Sequence, residues 1–196
     1  MGFLKLVYPR GPWLLTAIRP DRKAIETKTF RPESEAALLS WLKRLNGNHN
    51  LCWSTNPPMR DLSKKAERED IKEVAYLHVD IDPRAGEPFE EEQVRILDML
   101  SEPRPKGLPP PTCVIFSGGG YQAFWKLETP IPINGDVERA EQAKLYNLKI
   151  EQLLGGDHCH DVSRIMRLPG TVNIPDSKKL AKGRKPALAK LKWFKP

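Results

Sequence analysis

Asp80 and Asp82 are the residues of this chain whose type and spacing best suit metal chemistry. They stand in the run His78-Val79-Asp80-Ile81-Asp82. Residues two apart on a strand leave the same face, with Cα atoms roughly 6.5–7 Å apart. Their carboxylates can converge on two cations about 3.5–4 Å apart, the spacing used for in-line phosphoryl displacement. Two like charges at the end of a buried strand are costly unless a cation neutralises them. The same pair on an edge strand would simply face water.

Two further segments offer groups for an anionic ligand. Ser117-Gly118-Gly119-Gly120-Tyr121-Gln122 combines three glycines, which let a backbone approach a ligand closely, with the side-chain hydrogen-bonding groups of Ser117 and Gln122. It lacks the GxxxxGK[ST] pattern of a P-loop, and a plain glycine hairpin reads equally well. In Asp161-Val162-Ser163-Arg164-Ile165-Met166-Arg167, a short helical turn would put both guanidiniums on one side, suited to a triphosphate. Asp161 would add a third carboxylate. A salt-bridged turn closed by Pro169-Gly170 is the plainer reading. His158-Cys159-His160 supplies metal-ligand types, but the spacing matches no standard zinc site. Trp13, Trp41 and Trp193 read as packing residues rather than base-stacking platforms.

The elements that position these groups follow from periodicity. Val74 to Asp82 reads as a strand with Ala75, Leu77, Val79 and Ile81 on one face and His78, Asp80 and Asp82 on the other. Ser34 to Leu45 carries a helical stripe of Leu38, Trp41, Leu42 and Leu45; Glu87 to Leu100 carries one of Val94, Leu97 and Leu100. Leu51 to Ser54 is a short strand, and the charged stretch from Arg60 to Glu73 reads as a loop running into a helix. Pro103, Pro105, Pro109, Pro110 and Pro111 make a stiff connector and the expected boundary between lobes 1–105 and 106–196. Thr112 to Phe116 and Tyr121 to Leu127 are strands, Asp136 caps a helix ended by Gly155-Gly156, and Ala187 to Phe194 closes a sheet. Hairpins mixed with helices favour an α+β fold over a doubly wound parallel sheet, in a single domain whose two lobes share a core.

Bulk composition excludes some classes. A hydrophobic fraction of 39% suits a globular domain, and no apolar run approaches the length of a membrane span. The three cysteines form no CxxC pair, which points to a reducing, cytoplasmic setting. Residues 177–196 hold eight Lys or Arg and no acid, so the net charge of +7 leaves −1 for residues 1–176. Such a tail suits polyphosphate or nucleic acid, or it merely solubilises an end.

Taken in order, Val79-Asp80-Ile81-Asp82, Ser117-Gly118-Gly119-Gly120-Tyr121-Gln122, and Asp161-Val162-Ser163-Arg164 with Arg167-Leu168-Pro169-Gly170-Thr171-Val172-Asn173 resemble the motifs of archaeo-eukaryotic primases. The likeness is to the primase-polymerase type found in phages and plasmids, including RepB-like primases. Asn50 to Asn56, with Lys64 and Lys65 beyond, resembles the segment before the acidic strand there. The resemblance implies two αβ lobes, one with an RRM-like sheet, and an active site in the cleft between them. It implies template-dependent nucleotidyl transfer with Mg²⁺ or Mn²⁺, a DNA template or primer, and NTP or dNTP as substrate. A helicase domain or subunit often accompanies such a core. By the same resemblance Asp80, Asp82 and Asp161 bind the metals, and Ser117 with Gly118, Gly119 and Gly120 holds the nucleotide phosphates. Arg164, Arg167 and Lys65 are further triphosphate partners. The commoner second motif ends in a histidine where Gln122 stands, which leaves Arg164 or His78 to supply the missing charge. A metal-dependent nuclease and a catalytically inactive RRM-like binding module remain as alternatives.

Overall fold

The computed structural model describes residues 2–21, 23–101, 105, 107–181 and 183–195. A short helix α1 (Gly2–Val7) precedes strands β1 (Trp13–Ile18) and β2 (Ile25–Phe30), helix α2 (Glu35–Leu45) and strand β3 (Asn50–Ser54). Then come β4 (Glu73–Ile81), α3 (Phe89–Ser101), β5 (Cys113–Phe116), β6 (Tyr121–Pro132) and α4 (Val137–Leu154). The chain closes with β7 (Ile165–Arg167), β8 (Val172–Asn173), α5 (Ser177–Ala181), β9 (Ala187–Leu188) and β10 (Lys190–Phe194).

The strands form two four-stranded sheets, β2-β1-β3-β7 and β10-β5-β6-β4, with antiparallel neighbours throughout, and a small β8-β9 pair. This is the α+β arrangement the sequence predicts. Each sheet takes strands from both sides of residue 105, since β3 pairs with β7 and β4 with β6. Pro103 lies outside the described residues. Further along the connector, the indole N–H of Trp125 donates to the Pro109 carbonyl and that of Trp193 to Pro111.

Alternation along the strands decides what each face does. In β4, Val79 and Ile81 pack with Tyr121, Ala123 and Trp125 of β6 against Ile96 and Leu100 of α3 and Ile150 and Leu154 of α4. The other face sends Tyr76 and Phe124 into a second core, shared with Trp13 and Leu15 of β1, Trp53 of β3, Met166 of β7 and Leu38 and Trp41 of α2. The four-stranded sheet bearing Asp80 therefore has two helices on one face and the other sheet's core residues on its opposite face. Asp136 caps α4 by accepting the Arg139 amide, and Gly155 ends it in the left-handed conformation, as expected.

Three expectations need correction. Ala75 belongs with the second core rather than beside Leu77. A bulge between Val74 and Tyr76 shifts the register, and the Asn56 carboxamide fills it by accepting from both the Ala75 and Tyr76 amides. Val94 is 60% exposed; α3 instead buries Ile96 and Leu100 together with Glu92, whose carboxylate receives Arg84 and Arg95. Between Arg60 and Glu73 there is no α-helix, only a 3₁₀ turn at Arg68–Asp70. Asp70 closes that turn by accepting the Glu67 amide.

Candidate active site

Asp80 and Asp82 sit where β4 leaves the sheet, on the face turned toward the β2-β1-β3-β7 sheet. Asp80 is half-buried and pairs in register with Gln122 of β6, whose Nε2 donates to Asp80 Oδ2 at 3.3 Å. Asp80 Oδ1 is buried and has no hydrogen-bond donor among the described residues. Withdrawal from water, reinforced by the negative charge of Asp82, pushes the Asp80 carboxyl up to about 7. Asp82 is exposed, with Lys179 Nζ 3.9 Å from its Oδ2. The orphaned, buried Oδ1 of Asp80 beside the second carboxylate of Asp82 fits an oxygen-seeking divalent cation.

The neighbouring carboxylate is one the sequence reading passed over. Gly155 and Gly156 end α4, and a Cβ on Gly156 would run into Val79 Cγ2 and stand 3.0 Å from the Asp80 carbonyl. That close approach lets the Asp157 amide donate to the Asp80 carbonyl at 2.8 Å. The Asp82 amide in turn donates to the Asp157 carboxylate, whose pKa is raised by burial and by Asp82. Asp161 is paired with Arg68, whose Nη2 lies 3.8 Å from its Oδ1 and which also meets Glu141, and neither Asp157 nor Asp161 lines the cleft itself. The only sequence signal for Asp157 was its place directly after a Gly-Gly helix stop.

The glycine turn is built against the aspartates. Ser117 and Gly120 close it, the Ser117 amide donating to the Gly120 carbonyl at 2.9 Å and the Gly120 amide to Ser117 Oγ at 3.2 Å. A Cβ on Gly120 would collide with the Ile81 carbonyl and lie 2.8 Å from Asp82 Oδ1. Only glycine lets the turn reach the end of β4 there. Gly118 packs instead against Asn173, whose Nδ2 donates to the Ser117 carbonyl at 2.8 Å. Ser117 and Gly119 line the cleft; Gly118 and Gly120 shape it.

The arginines reach the same cleft by another route than a helical turn. Met166 is buried opposite Trp53, and its burial holds Ile165–Arg167 extended as β7. Arg164 ends the preceding loop, its carbonyl accepting from both the amide and the hydroxyl of Thr55. Its Nη2 donates to Cys159 Sγ at 2.7 Å, leaving Nε buried without a partner. Arg167 Nη1 is likewise buried and unpartnered, and the Arg167 amide donates to Gln122 Oε1 at 2.9 Å. Gln122 thus ties Asp80 to β7 across the junction of the two sheets.

Lys65 lines the cleft. His78 does not. It is buried behind Asp80, with Nε2 2.9 Å from the Cys159 carbonyl and Nδ1 3.5 Å from Asn147 Nδ2. Burial lowers its pKa to about 4, so it is neutral and cannot offer charge to a phosphate. The extra charge comes from the basic segment after Asp176, whose described residues fold back onto strands β5 and β8. Asn50 clamps Ile174 through both of its backbone groups, β9 pairs with β8, and β10 pairs with β5. Lys179 of α5 and Arg184 consequently line the cleft, Arg184 lying over the Phe89 ring and beside Gly119. Lys182 lies outside the described residues. The cleft encloses about 540 Å³, with Ile18, Pro20 and Ile25 as an apolar ledge facing the charged wall.

No protein-family model matches the chain, and no curated protein matches it. Two solved structures do. The catalytic domain of primase RepB′ in complex with initiator DNA superposes with a TM-score of 0.62 at 16% identity, over 99% of this chain and 82% of that one. A structure of primase RepB′ gives 0.59 at 14% identity, over 98% of this chain and 54% of that one, so the chain spans about half its length. The fold is that of the primase RepB′ catalytic domain. Among the described residues, no helix is long and apolar enough to cross a membrane.

Proposed function

We propose that the chain is the catalytic domain of a DNA primase-polymerase, joining nucleotides on a DNA template with Mg²⁺ or Mn²⁺. The observation that carries this reading is one cleft in which a carboxylate pair with an orphaned oxygen faces two arginines, each with a buried guanidinium nitrogen that has no partner among the described residues. Acids on one wall and cations on the other suit a metal-bound triphosphate. A nuclease needs the acids but not the paired arginines. The RepB′ fold, and the initiator DNA named with it, support a replication setting and a DNA partner.

Asp80 and Asp82 would hold the metal, with Asp157 the third carboxylate in preference to Asp161. When bound, a divalent cation lowers the pKa of an attacking hydroxyl and neutralises charge on the leaving pyrophosphate. The chain's own groups do the rest. Arg164, Arg167, Lys65 and Lys179 attract and orient the triphosphate, and the Ser117–Gly120 turn, closed by its own Ser117 and Gly120 bonds, presents the Gly119 amide beside the acids. Gln122 keeps Asp80 aimed into the cleft. Arg184 and Lys179 make a positive rim suited to a nucleic-acid backbone, independent of its sequence.

The test is primer extension and de novo priming on single-stranded DNA with NTPs or dNTPs, comparing the protein with its Asp80→Asn/Asp82→Asn variant. Incorporation by the former and none by the latter, with DNA binding retained, is the expected result. Incorporation undiminished in the variant overturns the assignment. DNA cleavage without addition points to a nuclease.

A further inference from the structure

We propose that Glu151, His158 and His160 form a second metal site, for a borderline transition cation of the zinc class, separate from the aspartates. Glu151 lies in the last turn of α4 with its side chain almost wholly buried. Its two oxygens each face an imidazole Nδ1 at 2.9 Å, Oε1 toward His158 and Oε2 toward His160. The three ligand atoms lie within 4.8 Å of one another. Spacing along the sequence hid this site, because the carboxylate comes from the helix and Cys159 between the histidines turns away to Arg164.

Two imidazoles and a carboxylate are the donor set that selects zinc-like ions over Mg²⁺, which prefers oxygen. Bond lengths of about 2.0–2.2 Å set tetrahedral ligand atoms roughly 3.3–3.6 Å apart, so the two carboxylate–imidazole contacts must open by a few tenths of an ångström to admit the cation. The freedom to do so is present, since the His158 side chain is 92% exposed and can swing. On binding, each imidazole moves its proton from Nδ1 to Nε2 and offers the freed lone pair, so no proton need be lost. The exposed side leaves a coordination position for water. Supports are in place: Asn147 Nδ2 donates to the His160 carbonyl at 3.1 Å, fixing that ligand's backbone. The loop carrying these histidines also carries Asp157, whose amide is bonded to Asp80. A cation here would pin that loop to α4.

The experiment titrates Zn²⁺ into chelator-stripped protein against a chromophoric competitor, in an Asp80→Asn/Asp82→Asn background that neutralises two of the three carboxylates proposed for the other site. One equivalent bound, an upward shift in melting temperature, and no displacement by excess Mg²⁺ are expected. Adding His158→Ala should weaken Zn²⁺ at least tenfold, and His158→Ala with His160→Ala by about 100-fold or more. His158 is exposed, so its single variant keeps the fold and reads the site directly. A background variant that binds no Zn²⁺, or one whose affinity is unchanged by His158→Ala, overturns the proposal. Neither outcome depends on whether the chain incorporates nucleotides.

Discussion

The carboxamide of Gln122 lies against the carboxylate of Asp80, its Nε2 donating to Oδ2 at 3.3 Å while its Oε1 accepts the Arg167 amide at 2.9 Å. One neutral side chain thereby aligns an acid of one sheet with a strand of the other. Gln122→Ala should cost about 1–2 kcal/mol of stability and reduce incorporation about tenfold. Gln122→Glu keeps an acceptor for Arg167 but sets a negative charge beside Asp80 and removes its donor. Its activity–pH profile should move to higher pH, measured as the incorporation rate across the neutral range.

Asp80 has a sharper pH signature. Its folded pKa of about 7 stands above the ordinary aspartate value, so between about pH 4 and 7 the folded state holds a proton that the unfolded chain has lost. Without metal, stability attributable to this group falls as pH rises through that window and is level above it. Asp80→Asn removes the fall. At about pH 8 and without metal the variant should be more stable by on the order of 1–2 kcal/mol, with no gain near pH 4. Adding Mn²⁺ should stabilise only the parent, as thermal melts would register.

His78 works in the opposite direction. Its folded pKa of about 4 lies below the ordinary histidine value, so the unfolded chain binds more protons between about pH 6.5 and 4. Stability is full above that window and is lost as pH falls through it. His78→Leu should cost about 1–3 kcal/mol near pH 8 by stranding the Cys159 carbonyl and Asn147. Its denaturant midpoint should then decline less steeply on acidification than the parent's.

The glycine turn separates two neighbours. Gly120→Ala sets a methyl group against the Ile81 carbonyl and Asp82 and should cost about 1–3 kcal/mol together with metal affinity. Gly119→Ala meets only the end of the Arg184 side chain, 3.1 Å away, which can move. It should fold as well as the parent. Melting temperatures and Mn²⁺ titrations on both variants check the contrast.

Arg167→Ala removes a half-buried guanidinium from the cleft without touching the acids. The KM for nucleotide should rise about 10–100-fold, with a smaller change in kcat. Steady-state incorporation at varied nucleotide concentration measures it, and an equal loss in affinity for single-stranded DNA would contradict the assignment.

Local pattern carried much of this molecule. The alternation through Val79, Ile81 and Asp80, the stripe of Leu38, Trp41 and Leu45, and the Asp136 and Gly155 caps are short-range consequences of strand and helix geometry. They placed the acidic pair on a strand face and the Ser117–Gly120 turn beside a strand. What they could not determine was which distant groups meet there. His78 shares its strand face with Asp80 by period, yet Asn147 and the Cys159 carbonyl bury it. Arg164 and Arg167 reach the cleft because Met166 needs the core, which draws the segment out as a strand. The Asp157 amide reaches the Asp80 carbonyl because Gly156 lets the loop approach Val79, and Lys179 joins them because Asn50 clamps Ile174. Periodicity is set by the backbone within a few residues; convergence is set by packing between segments that can stand more than a hundred residues apart, as Asn50 and Ile174 do, which only the tertiary structure decides.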